Sequence, residues 1–151
     1  MTDKKYRTGI GALLINEKKQ IYFFQRIDYQ NTWQGVEGGV DENEEADMAV
    51  YREIKEEIGV KKDDLKFIAK TNNFLKYDYA GGVNKYGNIG QQKKFYLFEF
   101  TGDETKLLQD TEGEIEFLSW KLLNKNEAIE YFPKFKKEVY KQVFKEFDRY
   151  L

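Results

Sequence analysis

Residues 38–60 read GGVDENEEADMAVYREIKEEIGV, and no other segment constrains the fold as much. Ala46, Ala49, Val50, Ile54 and Ile58 recur at helical spacing, so they form an apolar stripe that must lie against a core. Glu53, Glu56 and Glu57 stand at i, i+3 and i+4 of the same helix, which brings three carboxylates onto one face. Gly59 is a natural C-terminal stop. The Asp41-x-x-Glu44 spacing resembles a capping box opening the helix, with Asn43 as the other candidate cap. The fold must therefore bury one side of this helix and leave an acidic face at a loop junction.

Most acidic runs on helices are solvated faces. Like charges one turn apart repel by a few tenths of a kcal/mol per pair, about 0.2–0.5. No basic residue is spaced to neutralise all three glutamates, which points to a hard divalent cation bound by oxygens. The longer pattern narrows the reading: a glycine, five residues, Glu44, seven residues, then Arg52-Glu53-Ile54-Lys55-Glu56-Glu57-Ile58-Gly59-Val60. At ordinary residue usage such a match arises by chance less than about once in a million.

Composition removes competing chemistries. The chain has no Cys, hence no disulfide, thiolate nucleophile or Cys-based zinc site. It has no His either, so acid–base work falls to Glu, Asp, Lys or Tyr, and a metal site must be built of oxygens. A net charge of −2 argues against bulk nucleic-acid binding by a basic surface, though not against recognition of one nucleotide end. The 151 residues fit one domain, 1–151, without a composition break. No apolar run is long enough to span a membrane and the first residues lack a signal segment, so the expected location is cytoplasmic. No obligate protein partner is evident.

Elsewhere the pattern predicts strands at residues 8–16 and 20–25 around a turn, then at 64–71, 74–79, 93–100 and 116–120. Residues 80–90 are a Gly- and Asn-rich loop expected to be mobile. Pro133, the only proline, suits the first turn of a final helix whose apolar face is Phe135, Val139, Val143, Phe144 and Phe147. The order predicts a mixed sheet with helices packed on it.

The 38–60 segment matches G-x5-E-x7-R-E-U-x-E-E-x-G-U at every position, U being a bulky aliphatic residue, and so resembles the box of the Nudix hydrolases. The resemblance implies an α+β Nudix fold, a mixed β-sheet sandwiched between helices (α/β/α). It also implies metal-dependent hydrolysis of a pyrophosphate bond in a nucleotide, with Mg²⁺ or Mn²⁺ as cofactor. By the same resemblance Glu53, Glu56 and Glu57 bind metal and one of them is the general base, and a carbonyl near Gly38 is a further ligand. Glu44 and Arg52 read as a salt bridge fixing the helix to its loop, and Gly59 as structural.

Beyond the box, Tyr6-Arg7, Arg26-Ile27-Asp28, Trp33-Gln34, Gly90-Gln91, Lys93-Lys94-Phe95 and Phe135-Lys136-Lys137 resemble the bacterial RNA pyrophosphohydrolase and diadenosine polyphosphate hydrolase branch. That resemblance implies a dinucleoside polyphosphate or the 5′-triphosphate end of RNA as substrate. Arg7, Arg26, Lys94 and Lys136 would supply charge, and Tyr77 or Phe135 would stack on a base. Glu114 aligns with a late metal-binding glutamate of that branch, and Glu112 and Glu116 are close enough to compete for the role. Two departures stand out. Gly35-Val36-Glu37 replaces the usual Phe-Pro-Gln before the two glycines, and Asp78 replaces a frequent basic residue. Two other readings are a housecleaning hydrolase of free nucleoside triphosphates and a non-catalytic nucleotide-binding regulator.

Overall fold

The computed structural model describes residues 5–28 and 31–151; residues 1–4 and 29–30 of the expected domain 1–151 lie outside the described residues. The spine is β1 (Tyr6–Ile15), a strand apolar on both faces that pairs in parallel along its whole length with β7 (Gly90–Phe100). On the other side β1 pairs antiparallel with β4 (Val36–Gly39) through its middle residues, Gly9 to Ala12, and with β2 (Ile21–Arg26) at its end. The sheet continues from β2 to β3 (Trp33–Gln34) and β8 (Phe117–Leu123), and from β7 to β5 (Leu65–Lys70) and β6 (Leu75–Asp78).

Strand alternation sorts the core into two layers. Ile10, Ala12 and Leu14 of β1, with Tyr96, Phe98 and Phe100 of β7, pack against Ala49, Val50, Ile54 and Ile58 of α1 (Ala46–Ile58). Leu13 and Ile15, with Phe95 and Leu97, pack against Val139, Tyr140, Val143 and Phe144 of α3 (Lys134–Glu146). A short α2 (Lys125–Ala128) carries a full capping box at Asn124 and Glu127. Sealing each large aliphatic side chain in these layers contributes roughly 1.5–3 kcal/mol, which is why the α1 stripe can hold an acidic face in place. The result is the expected mixed sheet between helices. Among the described residues no helix is long and apolar enough to cross a membrane.

Several boundaries move. α1 starts only at Ala46, with Glu45 as an N-cap that makes no side-chain bond. The Asp41–Glu44 pair does interact, Asp41 N–H donating to Glu44 Oε1 at 2.9 Å, but inside the preceding loop rather than at the helix start. Glu44 is drawn away by Arg52, and Asn43 has φ 64°, which breaks the helix there. Strands β3 and β4 escape sequence reading because they are two and four residues long and contain or adjoin glycine. β7 begins three residues earlier than expected because the parallel ladder with β1 extends to Gly90. The 80–90 loop is organised around Asn84, whose side-chain oxygen accepts from the backbone N–H of Tyr86 and Asn88. Phe135 is not part of the α3 core face and is 44% exposed.

Candidate active site

The turn from β4 into α1 brings the backbone of Gly38 against the acidic helix face. A Cβ on Gly38 would lie 2.2 Å from the carboxyl carbon of Glu53, so only glycine leaves room for that side chain. Gly59 ends the helix at φ 73° and donates its N–H to the Lys55 carbonyl, the left-handed stop expected of it.

Arg52 organises the glutamates. Its Nε and Nη2 donate to the two oxygens of Glu44 at 2.8 and 2.9 Å, and Nη2 also reaches the Gly39 carbonyl at 3.0 Å. Nη1 donates to Glu53 at 2.9 Å and to Glu56 at 3.2 Å. The expected Glu44–Arg52 bridge is thus part of a wider network that also holds two of the three box glutamates. The guanidinium beside Glu44 holds that carboxyl down at about 2, helped by the Asp41 backbone N–H.

Glu57 receives no bond from Arg52 among the described residues. Its Oε2 is buried with no hydrogen-bond partner. Burial pushes its carboxyl well above the usual range, reinforced by the charges of Glu53, Glu116 and Glu37 and by a hydrogen bond to Glu53. A buried oxygen without a donor is costly unless a proton or a cation meets it. Among the described residues no three carboxylates close around an ion unaided, and Arg52 holds Glu53 and Glu56 to itself. The donors nonetheless suit a hard divalent cation: they are all oxygens, and one is buried, anionic when unprotonated, and otherwise unsatisfied.

Two hollows meet here. One, of about 500 Å³, lies between the Gly38 backbone, Glu53, Glu56, Glu57 and the 112–116 segment. Glu114 lines it, but Glu116 lines both hollows and is the one whose charge acts on Glu57. Glu112 is engaged by Lys55 at 3.0 Å. The second hollow, of about 330 Å³, runs toward α3 and is lined by Arg7, Arg26, Lys93, Lys136, Tyr77 and Phe135, among others. The Tyr77 and Phe135 rings stand 5.7 Å apart, tilted 46°, with Tyr77 buried and Phe135 exposed. Arg26 is gripped by Asp28 at 2.8 and 2.6 Å, and Asp78 accepts from the Tyr6 hydroxyl.

Five of the six residues expected at the substrate therefore gather in one cavity. Lys94 does not. Successive residues of β7 face opposite sides of the sheet, so Lys94 falls on the α1 side, where its charge acts on Asp47, and Lys93 occupies the cavity instead. Sequence reasoning missed Lys93 although Phe95 and Leu97, two and four residues on, share its face. It also missed the role of Glu37: this carboxylate is buried under α3 and meets Lys93 at 2.5 Å, the Tyr140 hydroxyl at 2.5 Å and Lys136 at 3.2 Å. Burial alone would raise its pKa, but the two ammonium groups beside it bring it down to about 2.

A family model described as NUDIX domain matches residues 5–143. An RNA pyrophosphohydrolase of Haemophilus influenzae (strain 86-028NP) is 32% identical over 146 residues, covering 94% of this chain and 74% of its own. Nudix hydrolase 27, chloroplastic, of Arabidopsis thaliana is 36% identical over 154 residues, covering 96% of this chain and 67% of its own. Among solved structures, a C. elegans Ap4A hydrolase in a binary complex superposes with a TM-score of 0.69 at 19% identity, covering 96% of this chain and 99% of the other. The E. coli dihydroneopterin triphosphate pyrophosphohydrolase gives 0.68 at 20% identity, covering 91% and 95%.

Proposed function

The chain belongs to the Nudix family and is a pyrophosphohydrolase, and from that premise we propose that it cleaves a phosphoanhydride next to a single nucleoside end, in a dinucleoside polyphosphate or at the 5′-triphosphate end of RNA. The observation that carries this reading is the cavity beside the glutamates, which four cations, Arg7, Arg26, Lys93 and Lys136, line together with the paired rings of Tyr77 and Phe135. Cations outside the metal site suit a chain of phosphates longer than the pyrophosphate being cut, and the paired rings offer a face to a base. The similarity to an RNA pyrophosphohydrolase supports the same direction.

Glu53, Glu56, Glu57 and the Gly38 backbone would hold a divalent cation, Mg²⁺ or Mn²⁺, with Glu114 or Glu116 completing the set. When bound, such an ion neutralises phosphate oxygens and makes a bound water acidic. The chain's own residues do the rest. Arg52 fixes the directions of Glu53 and Glu56 by bonding one oxygen of each. Glu57, whose Oε2 has no hydrogen-bond partner among the described residues, is suited to take up or release a proton there. Arg7 and Arg26 bind phosphate oxygens, and Tyr77 with Phe135 orients the nucleoside.

The test is product analysis on a panel of triphosphate-ended RNA, diadenosine polyphosphates, ADP-ribose and nucleoside triphosphates, with Mg²⁺ and Mn²⁺ in parallel. Pyrophosphate release from RNA ends, or asymmetric cleavage of diadenosine tetraphosphate, is expected. Turnover of free mononucleotides alone would refute the reading.

A further inference from the structure

The floor of the cavity holds three buried charged side chains. Lys93, Glu37 and Lys136 come from β7, β4 and the first turn of α3, and their side chains are 6%, 4% and 6% exposed. Lys93 Nζ donates to Glu37 Oε1 at 2.5 Å, and Lys136 Nζ to the same oxygen at 3.2 Å and to Gln34 Oε1 at 3.1 Å. Tyr140 closes the other carboxylate oxygen at 2.5 Å. Glu37 is therefore spent: both its oxygens are taken by protein donors, and it has none to offer a metal or a water.

Two ammonium groups share one carboxylate, so the cluster keeps a net positive charge away from solvent. Burying unbalanced charge is costly. Each ammonium carries three N–H donors. Among the described residues Lys93 uses one on Glu37 and keeps the others on the cavity floor, whereas Lys136 spends its donors on Gln34 and on both oxygens of Glu37. Both ammonium groups lie near one ring, 5.6 and 5.9 Å from the centroid of Tyr77. The surplus charge, the remaining donors and the neighbouring arginines all suit an anion with several oxygens.

We propose that Lys93 is a substrate-recognition residue and Glu37 its positioning residue. The Glu37 carboxylate pins the Lys93 and Lys136 ammonium groups side by side under Tyr77, where Lys93 through its remaining N–H groups and Lys136 through its charge take a phosphate of the substrate's chain beyond the bond that is cut. This rests on reading the cavity as the nucleotide site. Lys93 is in place because the parity of β7 turns it to the α3 side, and Glu37 reaches it because β4 presents Val36 to the opposite layer.

The experiment compares wild type, Lys93→Gln and Glu37→Asp. Lys93→Gln leaves the Glu37–Lys136 pair balanced. Glu37→Asp keeps every charge but withdraws the carboxylate by one methylene. Binding of inorganic tripolyphosphate, measured by calorimetry without divalent metal, is expected to weaken about tenfold in Lys93→Gln and severalfold in Glu37→Asp, since bonds to charged groups are lost. KM should rise by similar factors while kcat stays within about twofold of wild type, the signature of lost uniform binding. Melting curves check that both variants are folded; should Glu37→Asp not fold, Glu37→Gln combined with Lys93→Gln repeats the positioning arm at wild-type net charge and should bind no tighter than Lys93→Gln. Unchanged tripolyphosphate affinity in Lys93→Gln, or a fall in kcat with KM unchanged, overturns the proposal. Wild-type affinity in Glu37→Asp overturns the positioning role. If tripolyphosphate binding depends on Lys93 but none of the proposed nucleotides is turned over, the substrate reading fails and the subsite stands; turnover with Lys93-independent binding does the reverse.

Discussion

Glu57 follows Glu53 by one helical turn, and Arg52 partners only the first of the two: Nη1 meets Glu53 at 2.9 Å, while Glu57 Oε2 is buried without a partner. The asymmetry makes Glu57 a liability to the metal-free fold. Its raised carboxyl keeps a proton that the unfolded chain surrenders near its ordinary pKa of 4.5. Folding therefore loses stability from this group as pH rises above about 4.5.

Glu57→Gln should accordingly raise the melting temperature of the metal-free protein at pH 8 by several degrees, with the difference vanishing near pH 4. The same variant should lose at least about a thousandfold in kcat, as expected when a metal ligand or base is removed. Divalent ions should raise the melting temperature of wild type more than that of the variant. Scanning calorimetry with and without Mg²⁺, beside steady-state assays, decides it. A variant that stays active, or melts lower without metal, contradicts the role given to Glu57.

The two-point pair between Arg52 and Glu44 predicts strong coupling. Arg52→Lys keeps the charge and loses the fork, so it should cost roughly 1–2 kcal/mol; Glu44→Gln should cost roughly 0.5–1 kcal/mol. The double variant should be no worse than Arg52→Lys alone. Urea unfolding of all four proteins measures this, and strictly additive losses would mean that the pair does not tie the loop to α1. Because Arg52 holds Glu44 down at about 2, the bridge stabilises the fold above pH 4.5 and is lost as pH falls toward 2.

Much of this was visible in the sequence, and the gaps have physical causes. The α1 stripe and the Gly59 stop were readable because helix period and left-handed caps are local properties. The helix start was misjudged because Glu44 answers to Arg52, eight residues away, and not to the helix end. Lys93 was overlooked in favour of Lys94 because parity along β7 becomes informative only once both sheet faces are known to be covered. Glu37 was noticed as an oddity, but its partners arrive 56, 99 and 103 residues later in the chain, beyond any local pattern.

The aromatic pair separates binding from packing. Phe135 is 44% exposed and its ring pairs with Tyr77, so Phe135→Ala should cost only about 0.5–1.5 kcal/mol. If its ring stacks on a base, KM should still rise about fivefold or more. Tyr77 is buried in the α3 layer, so Tyr77→Ala should lower the melting temperature as well as raise KM. A normal KM in Phe135→Ala would remove that ring from the nucleoside site.

The last prediction concerns pH and follows from unequal sharing in the Glu37 cluster. One carboxylate receives two cations and is held down at about 2, whereas Lys136 is also pushed down, to about 8. For Lys136 the largest influence is burial, the attraction of Glu37 works against it, and the charges of Lys93 and Arg26 add to the lowering. Tyr77 and Tyr140, which face the same cluster, are pushed above their usual range by burial and stay neutral around pH 8. Lys136 thus loses its charge as pH rises through about 8, and KM for an anionic substrate should climb there. Stability moves the other way. The folded chain sheds this proton before the unfolded one does, so folding gains from the group between about pH 8 and 10.5. Lys136→Arg, whose charge persists throughout, should flatten the KM profile between pH 7 and 9. A wild-type KM that stays level across that range, or an equal climb in Lys136→Arg, would show that this ammonium does not meet the substrate.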